Sequence, residues 1–174
     1  MRYILILALA AGGIAALKKR AKKENTLLLP DSRAFWGIAL MTLGALAAAA
    51  PLGAVMDLVG ALIAAGGALL LAWVLKFSLS YDEACFCLQG LKGARQYRYG
   101  QIAGQKLYLT QGGGVIIELH MEDGSAVSLQ SDIPGVYGFL DYAFSRWLAE
   151  KGIREADCPW YNPEQSCWFP EAGV

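Results

Sequence analysis

Apolar positions run almost unbroken from Phe35 to Leu75, and Asp57 is the one formally charged residue among them. As one continuous helix this stretch would extend about 61 Å, twice the ~30 Å hydrocarbon thickness of a bilayer. Ala50-Pro51-Leu52-Gly53 lies near its middle, and proline with glycine breaks a helix there. The pattern predicts two antiparallel transmembrane helices, near 34–50 and 54–75, that form a hairpin over residues 34–75. A shorter apolar run, Tyr3 to Leu17, precedes Lys18-Lys19-Arg20-Ala21-Lys22-Lys23. A secretory signal places its basic residues before the apolar run. The reversed order predicts an uncleaved first transmembrane helix over residues 1–17, short at about 22 Å but eased by snorkelling of Arg2 and Lys18.

From Lys76 the period changes to two. Phe77 to Tyr81, Cys85 to Leu88, Gln96 to Tyr99, Gln105 to Thr110, Val115 to Met121 and Ala126 to Gln130 read as six short strands separated by turn residues. Glu122-Asp123-Gly124 between the last two is a hairpin signal. The period then becomes helical. Val136, Phe139, Leu140, Ala143, Phe144, Trp147 and Leu148 make one apolar stripe. Ser131 or Asp132 is expected as its cap, Pro134 in its first turn and Gly152 as its terminator. The fold class expected is a membrane α+β protein. Three transmembrane helices precede a small antiparallel sheet or barrel, which one C-terminal amphipathic helix caps.

Charge orients this arrangement. Residues 1–75 carry seven Lys/Arg and three Asp/Glu, whereas residues 76–174 carry eight and twelve. Segment 18–33 holds Lys18, Lys19, Arg20, Lys22, Lys23 and Arg33, and the turn at 51–57 holds no basic residue. By the positive-inside rule, 18–33 is a basic cytoplasmic loop and the C-terminal domain is cytoplasmic, with the N-terminus and the 51–57 turn outside. The basic run retains that loop inside and also attracts anionic lipid, at about 1 kcal/mol per residue. An acidic soluble part excludes nucleic acid as a partner, since phosphate neutralisation needs a basic face. Membrane lipids are the expected partners. Small residues four apart (Ala8, Gly12, Ala16; Gly44, Ala48; Gly60, Ala64, Ala68) suit close helix packing, within the chain or in a homo-oligomer.

The chain offers little catalytic chemistry. No serine-hydrolase, zinc-protease or phosphate-loop motif occurs. Gly112-Gly113-Gly114 lacks the lysine and helix of a phosphate loop and reads as a turn. His120 shares a strand face with Glu118 and Glu122 and reads as an exposed residue. Cys85, Cys87, Cys158 and Cys167 lack the Cys-x2-Cys spacing of structural zinc and read as reduced, buried thiols. No catalytic residue, metal or cofactor is assigned. Lys92, Arg95, Arg98 and Lys106 are the soluble part's one basic concentration, a candidate contact for anionic lipid or a partner. The tail 153–174 interleaves Trp160, Tyr161, Trp168 and Phe169 with Pro159, Pro163 and Pro170. Such aromatics are expected to fold back on the domain, meet the bilayer interface or dock a partner.

Ser80-Tyr81-Asp82-Glu83 entering the sheet, Gln101-Ile102 before a strand, the Glu122-Asp123-Gly124 hairpin and the helix at 134–151 together follow an order of elements. Over residues 76–152 that order resembles bacterial pleckstrin-homology-like domains of small membrane proteins. The family has seven strands against the six read here, so the resemblance implies one more, expected near 90–110. It also implies a non-enzymatic binding or scaffolding module, presented to a protein partner or the inner membrane surface. The alternative is an accessory or regulatory subunit of a transporter or envelope complex, acting through its transmembrane helices.

Overall fold

The computed structural model of the chain describes residues 2–18, 25–50, 53–91 and 93–155. Its contacts divide into a helical unit, chiefly Leu28–Ser78, and a sheet-and-helix unit formed by Asn25–Leu27, Leu79–Leu88 and the chain from Ala94.

The helical unit contains α1 (Arg2–Lys18), α2 (Asp31–Ala49) and α3 (Ala54–Lys76). Both α2 and α3 are long and apolar enough to cross a bilayer. α2 ends at Ala49 and α3 begins at Ala54, on either side of the expected break, and Gly53 takes φ 100°. The expectation of three spans is corrected to two such helices. With 17 residues, α1 rises about 25 Å, short of the ~30 Å core.

Glycine brings α2 and α3 together. Ala34, Gly37, Met41 and Gly44 are buried on α2, and Gly60, Gly67, Leu71 and Val74 on α3. Seven residues separate Gly37 from Gly44 and Gly60 from Gly67, the repeat of left-handed coiled packing. A Cβ on Gly44 would strike the Ala64 backbone nitrogen, and one on Gly60 the Ala48 nitrogen. Of the small-residue ridges read from the sequence, Gly44-Ala48 and Gly60-Ala64 thus serve packing within the chain. Most remaining apolar side chains point outward, with Val55 75% and Leu69 66% exposed.

Among the described residues the sheet-and-helix unit has seven strands. β1 (Thr26–Leu27), β2 (Ser78–Tyr81), β3 (Cys85–Gly90) and β4 (Gly93–Arg98) form one sheet in that order. After a 3-10 turn at Tyr99–Gln101, β5 (Ile102–Leu109), β6 (Val115–Met121) and β7 (Ala126–Gln130) form the second. The seventh strand is not near 90–110. It is β1, in the segment expected to be only a basic loop, and it pairs antiparallel with β2 through Thr26↔Ser80 and Leu27↔Leu79. Two residues carry no readable period; Leu27 joins the sheet because burial beside Leu79 rewards it.

Helix α4 (Val136–Lys151) covers the sheets with the stripe the sequence predicts, all seven of its residues buried. Each of the six side chains larger than Ala143 contributes roughly 1.5–3 kcal/mol as an upper bound. Its start differs from expectation. Residues 131–135 make consecutive turns, with Ile133 N bonding Gln130 O and Val136 N bonding Ile133 O. Neither Ser131 nor Asp132 caps the helix; left-handed Gly135 (φ 85°) precedes it without a side-chain cap. Gly152 (φ 68°) ends it as expected, with Ile153 N bonding Leu148 O at 3.0 Å.

Candidate binding surface

One edge of the sheet-and-helix unit is organised by the turn between β2 and β3. Asp82 Oδ1 accepts from Ala84 N (2.8 Å) and Cys85 N (2.9 Å). These two donors hold its carboxyl below the usual carboxylate range. Tyr99, fully buried, donates its hydroxyl to the Asp82 carbonyl at 2.7 Å, with the Cys85 carbonyl at 3.2 Å. Burial pushes that phenol well above its ordinary range, and Tyr142 adds to the effect. Phe86 stacks on Tyr97 and meets Phe139 edge-on. Arg146 lies over the Tyr142 ring, donates to its hydroxyl (3.2 Å) and pairs with Glu83 at 3.3 Å. Tyrosine and arginine here lock the turn to α4, a structural role that the sequence reading missed.

The solvent side of the second sheet carries a different set. Register places Lys106, Glu118 and Ser128 in one row across β5, β6 and β7, with Gly104, His120 and Ala126 in the next. Directly opposed residues share a face, while Ile117, Leu119 and Met121 turn to the core. Ser128 Oγ donates to Glu118 Oε1 at 3.1 Å. His120 Nε2 stands 3.5 Å from Glu118 Oε2. His120 was expected to be exposed, and this is corrected: its side chain is 33% exposed, because it sits on the central strand of three. Glu122, expected on the same face, lies in the following turn and pairs with Lys151 of α4 at 3.1 Å. Lys106 directs its ammonium over the Tyr108 ring at 5.6 Å. Glu118 is the hub of this surface. It accepts from the Ser128 hydroxyl and lies beside His120 Nε2, so the face carries a short polar cluster.

The basic residues singled out by the sequence are spread over the unit. Arg95 and Arg98 are exposed on β4, and strand alternation puts them on opposite faces. Arg95 shares the face of buried Tyr97 and adds a weak pull on Asp123, whose carboxyl is lowered mainly by the Ser125 hydroxyl and N–H. Lys106 is on the other sheet. Lys92 lies outside the described residues, as do Lys19, Arg20, Lys22 and Lys23, while Lys18 is the last residue of α1. The aromatic tail from Asp157, with Cys158 and Cys167, also lies outside them.

Cys85 and Cys87 are free and half-buried rather than buried, on the face opposite Phe86. Gln96 Nε2 reaches Cys85 Sγ at 2.8 Å. Among the described residues no group of three His, Cys, Asp or Glu side chains could hold a metal ion.

No protein-family model, curated protein or solved structure matches the chain.

Proposed function

We propose that the protein is a membrane-held, non-enzymatic module whose sheet-and-helix unit binds a protein partner at the cytoplasmic face. The observation that carries this reading is the pairing of β1 with β2 across the inserted α2–α3 hairpin. A chain that leaves one strand, enters a bilayer and returns to the adjacent strand must cross an even number of times. Two crossing helices of 19 and 23 residues satisfy that condition. The outward apolar surface of both helices favours lipid over a soluble core as their surroundings.

Arg33, Phe35, Trp36, Trp73 and Lys76 gather at the strand-proximal end of the hairpin, and Arg33 stands 5.8 Å from the Trp73 ring centre. Aromatic and basic residues at this end, with none of either between Ala50 and Gly53 in the sequence, fit a cytoplasmic interface. Four strands, then three, then a covering helix support the pleckstrin-homology-like reading. Arg95, Arg98 and Lys106 lie on two faces and two sheets, which favours a protein partner over a lipid headgroup.

Photocrosslinking with the full chain tests this, because a fragment starting at Lys76 would lack β1. A probe at Lys106, on the outer sheet surface, is expected to capture a partner protein. A probe at Leu62, exposed on α3, is expected to reach lipid alone. Protein adducts confined to Leu62 would instead establish the helices as the working part, as in a transporter or envelope accessory subunit. Arg95→Glu with Arg98→Glu is expected to leave binding of anionic liposomes unchanged; its loss would restore the headgroup reading.

A further inference from the structure

Four strands end the two sheets: β1 and β4 bound the first, β5 and β7 the second. An edge strand offers a row of unpaired N–H and C=O groups that recruits another strand unless shortness, charge, proline or a bulge prevents it. Three of these edges are blunted. β1 has two residues. β4 carries exposed Arg95 and Arg98. β5 carries Lys106 and a register break between Ile102 and Gly104. β7, Ala126–Gln130, has no charge and no proline, and it keeps an unbroken register with β6 over its whole length.

The phase of the β6–β7 ladder fixes which groups face that open edge. Ser131 N bonds Val115 O at 2.9 Å, and Met121 N bonds Ser125 O at 2.8 Å. Bonded pairs alternate along an antiparallel ladder. Val127 and Leu129 therefore bond toward β6, while Ala126, Ser128 and Gln130 point their backbone groups outward. Among the described residues, the Gln130 carbonyl alone in this outward set has a backbone partner, Ile133 N at 3.1 Å.

We propose that β7 pairs antiparallel with β7 of a second copy of this chain, about a two-fold axis at Ser128. In that register Ser128 faces its own mate, Ala126 faces Gln130, and Val127 faces Leu129. Every outward N–H meets a carbonyl, and no like charges oppose each other. The buried faces of Val127 and Leu129 continue one apolar surface from copy to copy, and the polar row stays on the other face. The strand is thus its own complement, which is what selects a second copy over an unrelated peptide. The two-fold pairing is closed and consumes the edge, so it yields a dimer and not a fibre. This inference is independent of the partner-binding reading above.

The test uses the full chain in detergent with Cys85, Cys87, Cys158 and Cys167 replaced by serine and circular dichroism unchanged. Ser128→Cys is expected to give a disulfide-linked dimer on mild oxidation. Glu118→Cys, on the same face but one strand inward, is expected to form no disulfide link between copies. Ser128→Lys would set two ammonium groups against each other across the axis, yet beside Glu118 within its own chain. It is expected to lower the dimer fraction in light scattering several-fold with its thermal transition retained. A monomeric parent chain, a dimer that Ser128→Lys leaves intact, or equal crosslinking at positions 118 and 128 would overturn the proposal.

Discussion

Adding one methyl group at Gly60 is expected to pry the hairpin apart. An alanine Cβ there would collide with the Ala48 nitrogen and lie 2.7 Å from the Gly44 carbonyl oxygen and 3.0 Å from the Ala47 carbonyl carbon. All three are backbone atoms of α2, so no side chain can swing aside. Ordinary contact begins at 3.4 Å, and the oxygen contact alone asks for a shift of roughly 0.7 Å. Helix separation on that scale forfeits a quarter to a half of each dispersion contact along the seam. Overpacking of this kind costs about 1–3 kcal/mol.

Gly66, on the same helix, provides the control, since a Cβ there meets nothing within 4 Å. Both variants gain the same helix propensity, about 0.5–1 kcal/mol, so their difference isolates the steric effect. In mixed micelles titrated with a denaturing detergent, Gly60→Ala should unfold earlier than Gly66→Ala by that 1–3 kcal/mol. Equal midpoints would refute close glycine packing as the bond between α2 and α3.

Tyr99→Phe removes the hydroxyl that serves the Asp82 and Cys85 carbonyls. It should cost about 1 kcal/mol in urea unfolding of the sheet-and-helix unit, because the Asp82 carbonyl loses the Tyr99 hydroxyl while the Cys85 carbonyl keeps the Asp82 N–H at 3.0 Å. Gly152→Ala places a Cβ on a left-handed residue (φ 68°) and should cost about 1 kcal/mol, read as a lower melting temperature. Asp82 has a folded pKa below its ordinary 3.8, so its stabilisation is fully present above that value and is lost as pH falls through the folded pKa. Acid titration followed by near-ultraviolet circular dichroism should therefore show a stability loss below about pH 4 that Asp82→Asn makes shallower. An identical slope in the variant would count against the carboxylate's role in the turn.

Part of the candidate surface could be read from the sequence. Period two puts Glu118 and His120 on one face, and the structure keeps them there. Lys106 and Ser128 join Glu118 only through strand register, which depends on contacts between residues far apart in sequence. Glu122 leaves the face because the Gly124 turn (φ 79°) bends the chain toward Lys151. The basic residues look clustered along the chain but scatter in space, because alternation and a change of sheet separate Arg95, Arg98 and Lys106.

The sequence by itself determined whatever local periodicity can encode: two apolar helices with a Pro–Gly break, six strands, the buried stripe of α4 and its glycine stop. These follow from burial at fixed spacings of 3.6 or 2 residues. Tertiary structure alone decided that Thr26–Leu27 is a strand, that the hairpin is inserted between paired strands, and that Gly44 and Gly60 are used up against each other. It also set the start of α4 at Val136. In each case the outcome rests on competition among distant partners for backbone hydrogen bonds and close packing, which no short window of the chain contains.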